Sequence, residues 1–193
     1  MEKSNEINHL QDSCSDLYRK EQCIFNPKCG NGNAAGGNHE FYKRDEKEVK
    51  MRIESNSAED TFALGKQCGQ KAAAGQVYCL YGDLGVGKTV FTQGFAAGLG
   101  IKGPVSSPTF TILQVYDEGR LPFYHFDVYR ISDPEEMYEI GFEEYIEGEG
   151  VCFIEWANLI EELLPEQYTE IHIDKDLSKG FDYRLITVEE VQR

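Results

Sequence analysis

The chain has 193 residues, of which 40% are hydrophobic, and its formal net charge is -15. This length is typical of one compact domain, and neither a long apolar run nor a signal-peptide pattern occurs, so we expect a soluble, cytoplasmic protein. The negative charge argues against a surface that grips nucleic acid by itself, because phosphate backbones are normally held by a basic patch.

The six cysteines do not have the pattern of a disulfide framework. Cys68, Cys79 and Cys152 lie in apolar periodic segments, where cysteine usually packs as a small hydrophobic residue. The other three lie in the polar N-terminal part together with two histidines, but they form no C-x-x-C pair. Unpaired cysteines are therefore favoured there over the alternative of a zinc site.

Residues 1–50 differ in character from the rest of the chain. They mix charged residues, asparagines and a glycine-rich stretch at 30–38, without a sustained helical or strand period. This composition is typical of disorder. The sequence therefore predicts a disordered extension over residues 1–50 and one folded domain over residues 51–193.

The domain begins with segments that lead to a glycine-rich motif. Met51–Glu54 has the pattern of a short strand, and Ser57 is a candidate N-cap for a helix that Gly75 is placed to end. The apolar positions of this predicted helix are Phe62, Ala63, Leu64, Cys68 and Ala72. The apolar run Val77–Tyr81 then predicts a buried strand that continues directly into Gly82.

Strands and helices alternate along the rest of the chain. The segments are a helix at Thr89–Leu99, strands at Phe123–Phe126 and Val151–Ile154, a helix signalled by Ser132–Glu135, and paired strands at Glu170–Asp174 and Tyr183–Val188. This alternation predicts an α/β protein with three layers, a mainly parallel sheet and a C-terminal strand pair.

A phosphate-loop motif, G-x-x-x-x-G-K-[ST], lies between a predicted strand and a predicted helix, where its mechanism requires it. Its residues are Gly82, Asp83, Leu84, Gly85, Val86, Gly87, Lys88 and Thr89. The glycines let backbone N–H groups face phosphate oxygens, Lys88 is expected to reach the β- and γ-phosphates, and Thr89 to ligate Mg²⁺. The motif predicts a site for a magnesium–nucleotide complex, with ATP as the expected nucleotide, in a P-loop NTPase fold.

Two acids follow predicted buried strands, Asp127 after Phe126 and Glu155 after Ile154. Ligands of open α/β sheets collect at the carboxyl ends of strands, so both acids are candidates for holding the magnesium shell or orienting the attacking water. The sequence leaves open which acid has which role.

Two further features have alternative interpretations. Thr109, in Ser106–Phe110, is a candidate γ-phosphate sensor, but Ser-Pro is also a common turn former. Trp156 is suited either to stacking on a base or to filling the core. His125 lies on a buried strand, where packing and hydrogen bonding are the more frequent role of a histidine.

The motif segments Gly82–Thr89, Ser107–Phe110, His125–Arg130 and Glu155-Trp156 together resemble the bacterial TsaE family, over residues 51–188. This is the ATPase component of the synthesis of tRNA N6-threonylcarbamoyladenosine (t6A). The resemblance implies ATP and Mg²⁺ as ligands and TsaD and TsaB as partner proteins, which transfer threonylcarbamoyl to adenosine 37 of ANN-decoding tRNAs. The tRNA is then expected to be contacted mainly through the partners.

The resemblance also implies roles for individual residues. Thr89 and Glu155 would hold magnesium and Asp127 would support hydrolysis, although the two acids can exchange these roles. The segment Ser107–Phe110 would act as a switch. The nucleotide would be bordered by residues 57–61 and by Arg184. Family members tend to begin near Met51, which predicts that translation starts there.

Two rival functions remain open from the residues. A P-loop kinase normally needs arginines on a lid over the transferred phosphate, and arginine is scarce after the loop. A nucleotide-gated binding module would instead use the bound nucleotide to change its affinity for a partner.

Overall fold

The structure is a computed structural model that describes residues 50–193. The predicted extension lies outside this range except for Lys50, which begins the first strand. Within the described residues, no helix is both long enough and apolar enough to cross a lipid bilayer.

A single seven-stranded sheet forms the centre of the domain. Its strands are β1 (Lys50–Ser55), β2 (Val77–Tyr81), β3 (Leu113–Tyr116), β4 (Phe123–Asp127), β5 (Val151–Glu155), β6 (Gln167–Lys175) and β7 (Arg184–Gln192). Their order across the sheet is β1-β7-β6-β2-β5-β4-β3. The four central strands β6, β2, β5 and β4 run parallel, and antiparallel strands extend the sheet at both edges.

Helices cover both faces of this sheet. They are α1 (Ala58–Lys71), α2 (Lys88–Gly98), α3 (Glu136–Glu139) and α4 (Phe142–Ile146), with 3₁₀ turns at Ala157–Leu159 and Glu161–Leu163. Alternate residues of β2 feed two separate cores: Leu80 packs with α1 and α2, whereas Cys79 packs with α3, α4 and the 3₁₀ turns. The three-layer α/β fold, the parallel centre and the C-terminal strand pair β6–β7 are thus confirmed.

The strand predictions hold, but β3 was not predicted. Its four residues, Leu113–Tyr116, are too short to give a clear period, and the strand forms by pairing with β4 at the edge of the sheet. The segment after Ser132 also differs from its prediction. The helix begins only at Glu136, although Asp133 Oδ1 accepts the amide of Glu135, and Gly141, at φ 71°, divides it into α3 and α4.

The first helix starts as predicted, because Ser57 Oγ accepts the amide of Asp60. It ends at Lys71, and Gly75 lies in the following turn with φ 75°. A side chain from a distant loop sets this end: Arg120 Nη2 donates to the carbonyls of Gly69 and Ala72 at 2.6 and 2.5 Å. A cation at the last carbonyls of a helix also interacts favourably with the negative end of the helix dipole.

Glycines bring α1 and α2 into backbone contact. A Cβ added at Gly69 would lie 2.0 Å from the carbonyl oxygen of Phe95, and one at Gly94 would lie 2.1 Å from that of Phe62. The apolar face predicted for α1 is therefore partly wrong, because Phe62 and Ala63 are exposed while the glycines face α2. This contact fixes the helix that follows the phosphate loop against the helix that begins at Ser57.

Candidate nucleotide-binding site

The phosphate loop lies between β2 and α2, as the motif predicts. Gly82 has φ 145°, and a Cβ there would approach the carbonyl oxygen of Ile173 to 2.6 Å. Gly85 and Gly87 have φ 76° and 106°, and Gly87 occupies the N-cap of α2 in the left-handed region. Only glycine adopts these angles without strain, which explains the spacing of glycines in the motif.

Lys88 is the first residue of α2, and its side chain folds back over the loop. Its Nζ donates to the carbonyl oxygens of Gly82 and Asp83 at 2.7 and 3.1 Å, and the side chain is 7% exposed. Burial lowers the pKa of Lys88, while the nearby carboxylates of Glu155 and Asp127 oppose this shift. The ammonium is therefore a desolvated cation held directly at the loop.

The two candidate acids lie side by side at the ends of neighbouring parallel strands. Asp127 and Glu155 are paired in the register of β4 and β5, and they are 3% and 2% exposed. Side chains alternate between the two faces of the sheet, and both acids lie on the face that packs against α2. They therefore share a side of the sheet with Lys88. Thr89, the second residue of α2, is exposed. The structure thus brings the predicted lysine and both acids together.

The carboxylates of the two acids have different partners. Asp127 uses both oxygens: Oδ2 accepts the hydroxyls of Ser107 and Thr109, the latter at 2.6 Å, and Oδ1 accepts the amide of Tyr129 at 3.2 Å. Glu155 Oε1 lies 2.9 Å from His125 Nε2, and Oε2 has no hydrogen-bond partner within residues 50–193. Glu155 therefore retains a free oxygen, whereas Asp127 holds a loop.

The loop that contains Thr109 includes the predicted proline turn. The amides of Thr111 and Ile112 both donate to the carbonyl of Pro108, at 3.0 and 2.7 Å, so a proline turn is present. Ile112 has φ 64°, and its carbonyl accepts the amide of Asp127. Thr109 at the same time bonds the Asp127 carboxylate. The turn thus connects directly to an acid of the site.

Trp156 adopts φ 63°, an unusual backbone conformation for a non-glycine residue directly after Glu155. Its ring centroid lies 4.3 Å from Lys88 Nζ and 5.1 Å from the ring of Tyr129. The ring is only partly buried and packs against the core on the α3 side of the sheet. The ring thus contacts the loop lysine and also packs against the core, as the core interpretation predicts.

A cavity of about 200 Å³ lies beside the phosphate loop. It is lined by Ser57, Ala58, Thr61, Gly85, Val86, Gly87, Val90, Asp182 and Arg184. The residues that the resemblance placed at the border of the nucleotide, 57–61 and Arg184, are thus brought to the loop. Arg184 is held there because its Nε donates to the carbonyl of Val86 at 2.6 Å. Asp182 and Val90 were not predicted, and no motif marks them.

Comparisons with known proteins identify the family of this chain. The model of the family described as "Threonylcarbamoyl adenosine biosynthesis protein TsaE" matches residues 55–184. The tRNA threonylcarbamoyladenosine biosynthesis protein TsaE of Bacillus subtilis is 49% identical over 141 residues, which are 73% of this chain and 85% of that protein. The protein of the same name from Treponema pallidum is 46% identical over 123 residues, 64% of this chain and 90% of that protein.

A solved structure has the same fold as this chain. The crystal structure of Bacillus subtilis YdiB superposes with a TM-score of 0.65 at 43% identity, covering 75% of this chain and 87% of that one. The matched family segment contains the phosphate loop, both acids and Arg184. The chain belongs to the TsaE family of threonylcarbamoyladenosine biosynthesis proteins.

Proposed function

We propose that this protein is an ATPase that acts in t6A synthesis on tRNA, together with TsaD and TsaB, and that ATP hydrolysis allows repeated turnover of the complex. The relatives carry the name of t6A biosynthesis proteins. The observation that carries the enzymatic part is the convergence of Lys88, Asp127 and Glu155 at one end of the parallel strands.

The phosphate loop supplies the binding groups for the ATP phosphates. Gly85 and Gly87 have no side chains that would fill the loop. Backbone N–H groups and the positive end of the α2 dipole can therefore bind the phosphate oxygens. Lys88 is already desolvated, and a desolvated cation interacts more strongly with phosphate oxygens than one in water. The loop therefore favours a polyphosphate over a singly charged anion.

Thr89 and Glu155 are the residues that would hold Mg²⁺. An exposed hydroxyl and a carboxylate oxygen without another partner are hard oxygen ligands of the kind that Mg²⁺ prefers. Residues 50–193 contain no group of three His, Cys, Asp or Glu side chains suited to a metal, which fits an ion held largely by phosphates and water. The ion supplies charge neutralisation at the phosphate oxygens.

Asp127 has a different role in this proposal. Its carboxylate anchors Ser107 and Thr109, so any change at Asp127 is transmitted to the turn around Pro108. Thr109 would then act as the sensor of the γ-phosphate by exchanging its bond to Asp127 for one to the nucleotide. Asp127 supports hydrolysis by holding this loop in place.

The cavity lined by Ser57, Val90 and Arg184 is the proposed site for part of the nucleoside. It adjoins the loop and has a volume of about 200 Å³. The phosphates lie along the loop itself. Because Arg184 is tied to the Val86 carbonyl, its contribution is to shape the cavity and the loop together.

The kinase alternative is disfavoured by the state of the arginines. All four arginines after the loop have partners: Arg120 and Arg184 bond backbone carbonyls, Arg193 pairs with Glu161, and Arg130 lies over the ring of Phe110. A lid over a transferred phosphate needs an arginine that can reach it.

The net charge of -15 indicates that the partners supply the tRNA-binding surface.

The proposal is tested with the purified protein, Mg²⁺ and ATP, comparing wild type with Glu155→Gln and with the exposed-site control Glu139→Gln. ADP and phosphate should form in equal amounts without an added acceptor, slowly in the isolated protein and faster with TsaD and TsaB, and Glu155→Gln should remove this activity. Stoichiometric phosphorylation of an added nucleoside or sugar would replace the proposal by the kinase.

A further inference from the structure

A fully buried histidine next to the site has no role in the proposal so far. His125 lies at the middle of β4 and is 0% exposed. Its ring stacks on Phe123, with the centroids 5.9 Å apart, and meets Phe153 edge-on at 6.2 Å. Its Nε2 faces Glu155, while Nδ1 is buried without a hydrogen-bond partner in the described part of the chain.

Packing alone does not explain this residue. The ring lies among aromatic side chains, where phenylalanine would fill the space without burying a polar atom. A buried nitrogen without a partner destabilises the fold, so a histidine at this position needs a compensating role for its other nitrogen. The one contact that distinguishes it from phenylalanine is the 2.9 Å bond to Glu155.

The register of the sheet creates that contact. His125 pairs with Phe153, and Asp127 pairs with Glu155, in the parallel ladder of β4 and β5. Residues two apart on a strand share a face, so His125 lies diagonally across from Glu155 on the same side of the sheet. The imidazole is therefore fixed by two strands and two rings, and it is more rigid than a surface donor would be.

The direction of the hydrogen bond follows from the chemistry of the two groups. An ionised carboxylate only accepts, so Nε2 carries the proton and donates it to Glu155 Oε1. A carboxylate with one oxygen hydrogen-bonded in this way has a preferred orientation. Its other oxygen, Oε2 here, remains available.

We propose that His125 is a positioning residue that orients Glu155 for Mg²⁺ by holding Oε1, so that Oε2 serves the metal. This inference rests on the proposed function of Glu155. Partners of metal-ligating carboxylates typically contribute 10- to 100-fold to metal affinity. His125 itself contacts neither the metal nor the nucleotide in this proposal.

Three substitutions separate the hydrogen bond from packing. Glutamine places an amide nitrogen near the position of Nε2, asparagine places the same group near Nδ1 and falls short of Glu155, and phenylalanine keeps the ring without a donor. The readout is the Mg²⁺ dissociation constant of the protein–ATP complex, together with ATP affinity in excess EDTA and the melting temperature.

The expected result is a pattern across these variants. His125→Phe and His125→Asn should weaken Mg²⁺ affinity about 10- to 100-fold, leave ATP affinity in EDTA near the wild-type value, and His125→Gln should recover most of the loss. Unchanged Mg²⁺ affinity in folded His125→Phe, or a glutamine variant as weak as the asparagine one, would overturn the proposal.

The protonation of the His125 ring can also be tested in the wild-type protein, without any substitution. Nitrogen-15 NMR of the histidine ring, without metal, should show the proton of His125 on Nε2; an imidazole with an unprotonated Nε2 would overturn the assignment. Failure of this inference is distinguishable from failure of the proposed function. If Glu155→Gln weakens Mg²⁺ binding and the His125 variants do not, only the positioning role is wrong.

Discussion

Asp127 and Glu155 occupy paired positions on adjacent parallel strands, yet one carboxylate has both oxygens hydrogen-bonded and the other keeps a free oxygen. Two acids that are equivalent in the motif are therefore different in the fold. The partners come from other segments of the chain, Ser107 and Thr109 for Asp127 and His125 for Glu155.

Glu155→Gln should weaken the Mg²⁺ affinity of the ATP complex by more than about 10-fold, because it removes the charged ligand. Asp127→Ala should leave Mg²⁺ affinity close to wild type but free the hydroxyls of Ser107 and Thr109. Hydrogen exchange at the amides of Thr111 and Ile112 should then accelerate in Asp127→Ala alone. Equal losses of metal affinity in both variants would contradict the division of roles.

The glycine contact between α1 and α2 should not tolerate a methyl group. Alanine raises helix propensity by about 1 kcal/mol over glycine, but a Cβ at Gly69 would lie 2.0 Å from the Phe95 carbonyl oxygen. We expect Gly69→Ala to lower the free energy of unfolding by about 1–3 kcal/mol, measured by urea denaturation. Gln70→Ala, at an exposed site of the same helix, is the control, and a stabilised Gly69→Ala would show that the helices move apart freely.

Arg120 should stabilise the fold through the end of α1. Arg120→Met keeps much of the side-chain bulk but removes the donors to the carbonyls of Gly69 and Ala72. Because the residue is exposed, the expected loss is about 1 kcal/mol in the free energy of unfolding. Arg52→Met on β1, where the side chain is also exposed, should change stability by less than about 0.5 kcal/mol.

The buried ammonium of Lys88 gives a pH-dependent signature. Its pKa is lowered by burial from the ordinary value of 10.5, so between the two pKa values the unfolded chain binds more protons than the folded protein. Stability rises with pH where that is so. Relative to Lys88→Met, the nucleotide-free wild type should therefore gain stability as the pH is raised towards 10.5. A difference that stays constant between pH 7 and pH 10 would contradict the burial of a charged lysine.

Local patterns made much of the fold and part of the site predictable. The phosphate loop, its strand and its helix are contiguous, so one motif located Lys88 and Thr89, and the strand ends located Asp127 and Glu155. The four-residue β3 was missed, because it forms only by pairing with the neighbouring strand β4.

The remaining site features depend on tertiary contacts. The bond from His125 to Glu155 joins residues that are 30 positions apart and requires the register of two strands. Asp182 reaches the cavity beside the loop only because β6 and β7 return to the sheet, and no local pattern announces that. The helix face at Gly69 was overlooked because glycine carries no hydrophobic signal, although it permits the closest approach.

Repeated t6A formation tests most directly whether ATP hydrolysis by this protein drives turnover. This protein is mixed with TsaD, TsaB, threonylcarbamoyl-adenylate, ATP and an excess of ANN-decoding tRNA, and modified tRNA per complex is counted for wild type, Lys88→Ala, Glu155→Gln and the exposed control Lys66→Ala. Wild type and Lys66→Ala should complete many rounds, and the two site variants no more than about one. Turnover that continues unchanged in Lys88→Ala and Glu155→Gln would contradict this role of ATP hydrolysis.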